Sequence, residues 1–157
     1  MTGIHIDEFY ADAARILVSL YGVFPRRVNL FVEDFCGSDE PDEYGIHSTR
    51  YQACFATMVW LGEEGYIRYQ DTIRQDALDQ AVLSGRCFSA LISPSSQTRS
   101  DQASQSPTSE TLPPSVQAEH ASIVHQLEQA LQQRASVAIR EAFIRLLFKM
   151  SGSPDAG

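Results

Sequence analysis

Between Ser48 and Glu64 the apolar residues Tyr51, Cys54, Phe55, Met58 and Leu61 recur three and four apart. That spacing is the stripe of an amphipathic helix. Ser48 brings a side-chain oxygen to the free N–H groups at its start. Gly65 stands where a left-handed residue closes a helix end. The period then shortens. Ile67, Tyr69 and Ile73 alternate with Arg68, Gln70 and Thr72, as on a half-buried strand, with Asp71 misplaced on the apolar side. A turn is predicted around Arg74-Gln75-Asp76. A return strand follows with Leu78, Gln80 and Val82, then a short helix from Leu83-Ser84 through Leu91. Upstream, Phe9, Ala13, Ile16, Leu17, Leu20 and Phe24 share one face of a first helix over Asp7 to Phe24. Asp7, Glu8 and Asp12 lie toward its start, where the helix dipole favours acids, and Pro25 ends it. Val28-Asn29-Leu30 reads as a short edge strand. Phe31 to Cys36 reads as a second helix with Leu30, Val32 and Phe35 inward.

Helix, glycine, two-stranded hairpin, then Leu-Ser and a helix is an order shared with winged-helix domains. The phrase Trp60-Leu61-Gly62-Glu63-Glu64-Gly65-Tyr66-Ile67-Arg68 resembles the end of the third helix and the first wing strand of that superfamily, and the likeness covers roughly residues 7–92. It implies a mainly α fold with a small β-hairpin and a binding module. It also implies that Ser48, Thr49, Arg50 and Gln52 begin the helix that enters a DNA major groove in DNA-reading members. Arginine and glutamine there suit guanine and adenine edges, and Arg68 and Arg74 on the wing suit phosphates. Fold alone does not fix what is bound.

Beyond this domain the pattern changes. Ser93 to Ser115 holds four prolines, many Ser, Thr and Gln residues, and only Ala103 and Leu112 as apolar groups. Such a segment buries too little to offset its ordering entropy, so a flexible linker is expected over 93–116. Helical periodicity returns over 117–150. Ile123, Leu127 and Leu131 mark one helix, and Ser136 opens a second after a break near Arg134-Ala135. In the second, Ile139, Phe143, Leu146, Leu147 and Met150 lie together, with Val137, Ile144 and Phe148 widening the band. A band that apolar requires cover, from the chain's own domain, from another protein or from a second copy, and a homodimer interface on this tethered helical pair is the favoured expectation. Residues 151–157 read as a mobile tail.

Charge decides between partners. The chain of 157 residues is 43% hydrophobic with a net charge of −8. Residues 1–92 hold 14 acids and 7 bases, whereas residues 117–150 hold 3 acids and 4 bases. Across residues 31–65 there are eight acids and one base, Arg50. Phosphate would be repelled from that segment unless its acids point away. DNA is therefore a disfavoured partner, and a protein or a second copy of the chain is favoured. The longest apolar run near the N-terminus, Ile16 to Phe24, is too short for a bilayer, and no membrane partner is expected.

Catalytic and metal chemistry find little support. Cys36, Cys54 and Cys87 have no C-x-x-C spacing and read as inert thiols in a reducing cytoplasm. His5, His47, His120 and His125 form no ligand pair, and no cofactor is expected. The acids Asp39, Glu40, Asp42 and Glu43 read as a solvated turn whose members titrate normally. His47 is the most telling histidine, since a protonated imidazole there could meet an anion. Trp60 and Tyr66 flank the helix–wing junction and read as core. No nucleophile or phosphate-loop motif is present. The expectation is a non-enzymatic adaptor, scaffold or regulatory module, with a sequence-specific DNA-binding regulator as the alternative.

Overall fold

The computed structural model describes residues 4–94 and 122–151. Most of the expected linker, His120 and the tail beyond Ser151 lie outside the described residues. Those described are mainly helical, with a small antiparallel sheet and a C-terminal helical pair.

Helix α1, Ile4–Val23, begins nearly a turn before its expected start and buries Ala13, Ala14, Ile16, Leu17 and Leu20. It packs on α3 and on the sheet. Strand β1, Val28–Phe31, leads into a single helical turn, α2, Glu33–Cys36. The helix expected from Phe31 starts later because the sheet takes those residues first. Phe31 pairs with Ala77, and the Val32 N–H donates to the Asp76 carbonyl at 2.9 Å.

Helix α3, Thr49–Glu63, starts and stops where its sequence signals stand. The Ser48 hydroxyl accepts the Tyr51 N–H at 3.2 Å. At the other end Gly65 has φ 82°. Its N–H donates to the Gly62 carbonyl, and that of Tyr66 to Leu61. This is the paired closure that a left-handed residue permits. Trp60 sits edge-on to Phe9 of α1, with ring centroids 5.1 Å apart, and stacks on Tyr66 at 5.6 Å. The junction aromatics thus join α1 to α3.

Strands β2, Ile67–Arg68, and β3, Asp71–Ile73, both pair with β4, Ala77–Leu83, in one continuous register from Ile67↔Leu83 to Ile73↔Ala77. Strand β1 covers the other edge of β4. The expected return strand through Leu78, Gln80 and Val82 is β4, and it is irregular at its middle. Gln80 takes φ 53°, and the β1–β4 register slips beside it. This bulge leaves Gln80 half-buried and turns Ala81, Val82 and Leu83 into the core. The Gln80 N–H is accepted by Asn29 Oδ1 at 3.1 Å. Helix α4, Gly85–Ile92, is capped by Ser84, whose hydroxyl accepts the Cys87 N–H and donates to the Gly65 carbonyl at 2.7 Å.

The chain forms two compact units, divided inside α4 between Cys87 and Phe88. In the second unit α5, Ile123–Gln133, packs on α6, Ser136–Ser151. Ser122 caps α5 by accepting the His125 N–H, and Arg134 closes it at φ 53°. The Ile123 N–H donates to the Ser93 carbonyl, and Pro94 pairs with Ser122, so the two ends of segment 95–121 meet. The apolar stripe expected to need cover is largely covered by the chain itself. Ile139, Phe143, Leu146 and Met150 are 6%, 0%, 0% and 5% exposed within one chain, and Leu147 is half-buried. The large apolar groups that α6 turns outward are instead Val137 and Phe148.

Candidate functional site at the start of α3

Three polar segments converge where α3 begins: the acidic loop before it, its first turn, and the turn between β3 and β4. The loop is folded by Asp42, whose Oδ1 accepts the N–H groups of Tyr44 and Ile46, both at 2.9 Å. Asp39 then reaches forward. Its Oδ2 accepts the Ser48 N–H and lies 3.0 Å from His47 Nδ1. The other ring nitrogen, Nε2, is 3.0 Å from Asp76 Oδ1 on the hairpin turn. Tyr51 donates its hydroxyl to the same oxygen at 2.9 Å and stacks on the imidazole, with centroids 3.9 Å apart. Gln52 donates to the His47 carbonyl at 2.7 Å. His47 thus bridges two carboxylates: a neutral imidazole donates to one of them and an imidazolium to both. The anions that His47 meets are the chain's own.

Asp39 is not the ordinary solvated acid that its loop suggests. The Ser48 backbone N–H, and then the His47 hydrogen bond, hold its carboxyl below the usual value against the opposing effect of desolvation. A group with a lowered folded pKa stabilises the fold above its unfolded value, and that stabilisation fades as pH falls through the folded value. Thermal melts of the wild type and Asp39→Asn should therefore differ fully above about pH 4 and converge as pH falls below it through the lowered folded value. A gap that stays constant across that range would show that the carboxylate charge has no part in holding the loop. Tyr51 shifts the other way, because burial and the neighbouring Asp76 keep its hydroxyl protonated.

Arg50 turns away from this network. Its Nη1 and Nη2 donate to the two carboxylate oxygens of Asp12 on α1, each at 2.6 Å. The Asp12 side chain is 1% exposed. Hydrogen bonding to that carboxylate raises the guanidinium pKa above its ordinary value, against desolvation. Thr49 and Gln52 remain exposed, as do Arg68 and Arg74 on the hairpin. The two hairpin arginines are six residues apart along one arm, roughly 20 Å at about 3.3 Å per residue. Of the residues expected to form one contact surface, the fold joins His47, Ser48 and Gln52, sends Arg50 to α1, and spreads Arg68 from Arg74.

An open cleft of about 460 Å³ adjoins the network, lined by Phe31, Glu33, Asp39, Ile73, Arg74 and Asp76 among others. Phe31, Glu33, Asp39 and Asp76 carry no local motif, and sequence reading missed them as site residues. Asp39 precedes its partner by eight residues, and Asp76 lies 25 residues beyond Tyr51. Elsewhere, Cys54 and Cys87 are fully buried, and burial pushes both thiols up to about 12. Among the described residues no group of His, Cys, Asp and Glu is placed to hold a metal ion. No protein-family model, curated protein or solved structure matches the chain.

Proposed function

We propose that the chain is a non-enzymatic, winged-helix-like module that acts through protein–protein contacts as an adaptor, scaffold or regulatory subunit. A second copy is among the candidate partners. The observation that carries this reading is the pairing of Arg50 with buried Asp12. Arg50 is the single base among eight acids over residues 31–65, and its fork of donors is occupied inside the chain. A groove-reading helix needs such donors pointing outward, and phosphate binding needs a positive face. The free thiols support a reducing, cytoplasmic setting. Among the described residues no helix is long and apolar enough to cross a membrane.

A sequence-specific DNA-binding regulator is the second reading, favoured by exposed Thr49, Gln52, Arg68 and Arg74. Fluorescence anisotropy with labelled mixed-sequence duplex DNA separates the two. At physiological salt no binding is expected with protein up to about 100 µM, although basic binders show non-specific affinities of about 10⁻⁴–10⁻⁶ M. Tight binding to one duplex, weakened by Gln52→Ala, would reverse the order. Gln52 suits this test because its substitution leaves the Arg50–Asp12 pair in place.

A further inference from the structure

We infer that the cleft bounded by β1, α2 and the β3–β4 turn docks a short peptide that alternates apolar and cationic side chains. The inference rests on the protein-binding reading and names the partner's chemistry. Phe31 and Ile73 both pair with Ala77, one from each side of β4. Residues directly opposite across an antiparallel ladder project to the same face. Phe31, Ala77 and Ile73 therefore form one row. Ala77 is fully buried, while Phe31 and Ile73 are 42% and 38% exposed. Phe31 and Ile73 close over the small buried residue and give the cleft an apolar floor that is part-exposed.

Carboxylates border that floor. Glu33 comes from α2, Asp39 from the acidic loop and Asp76 from the turn, with Arg74 and His47 as the bases. His47 already lies between Asp39 and Asp76. Glu33 makes no side-chain hydrogen bond or ion pair among the described residues. With Asp39 and Asp76 engaged by His47, Glu33 is the rim carboxylate left to attract a cation and to repel phosphate or an acidic peptide. Segment 95–121 of the chain has the wrong charge for the groove, with Arg99 against Asp101, Glu110 and Glu119. A peptide that places an aliphatic side chain over Phe31 and Ile73 and an arginine beside Glu33 matches both features.

The test uses the full ¹⁵N-labelled chain and two synthetic peptides, acetyl-Leu-Arg-Leu-Arg-Leu-amide and its Glu counterpart, followed by amide chemical shifts. The arginine peptide should shift the amides of Phe31, Glu33, Ile73 and Arg74, and the glutamate peptide should not. Glu33→Lys should weaken binding by about fivefold or more, as should raised salt. Ile73→Ser, at an exposed position, should weaken it without unfolding the chain. No shifts at millimolar peptide, shifts mapped elsewhere, or equal binding of the two peptides would overturn the inference. Shifts of the same amides on diluting the protein alone would also overturn it, because a second copy would then fill the groove. Failure of the protein-binding reading shows separately, as DNA binding in the anisotropy assay.

Discussion

Arg50→Ala is expected to cost the folded chain up to about 3–5 kcal/mol, the range for removing one partner of a fully buried ion pair, with the 32% exposure of the Arg50 side chain drawing the figure toward its lower end. The Asp12 side chain is 1% exposed, and both of its oxygens accept from the guanidinium at 2.6 Å. Arg15 also approaches Asp12, but at 3.6 Å and with a side chain 45% exposed. It is a poor substitute, because water screens it. Without Arg50 the buried carboxylate loses its two-pronged partner, which is costly. Arg50→Lys should fall between the wild type and alanine, since an ammonium keeps the charge but not the two-pronged geometry. Asp12→Asn in the alanine background should recover part of the loss by removing the orphaned charge. Urea unfolding of the four chains checks the series. An Arg50→Ala chain as stable as the wild type would show that the pair does not hold α1 to α3.

That pair also shows what the sequence makes legible. Local signals were sufficient where neighbours in the chain satisfy one another. Ser48 and Gly65 bracket α3 because caps act within a few residues. The hairpin followed from a two-residue period, and β1 from three residues of strand character. The ion pair spans 38 residues, and no spacing rule reaches that far. One sign was available. Asp12 stands three residues after Phe9 and four before Ile16, on the apolar face of α1. An acid on an apolar face needs a partner, whereas the helix dipole alone accounts for an acid in solvent. Two other features were hidden for different reasons. Gln80 takes a left-handed conformation without being glycine, so no turn residue announces the bulge. Asp39 sits among acids that look interchangeable, and only the fold brings it to Ser48 and His47.

The C-terminal helices separate burial from recognition, and a pair of substitutions tests the separation. Phe143 is 0% exposed. Truncating a core phenylalanine costs about 3–5 kcal/mol, and Phe143→Asp adds the penalty of a buried carboxylate. That variant should lose the α5–α6 pair altogether, seen as lost helical signal and early melting. Phe148 is 73% exposed and Val137 56% exposed on the same helix. They are eleven residues apart, close to three turns at about 3.6 residues per turn, and so share a face. Phe148→Asp should leave stability within about 0.5 kcal/mol, as for an exposed site with no special contact. If the chain associates with itself through α6, sedimentation should show Phe148→Asp weakening the dimer while its melting curve stays put. An early-melting Phe148→Asp chain would place Phe148 in the core and remove the outer face of α6 as a candidate interface.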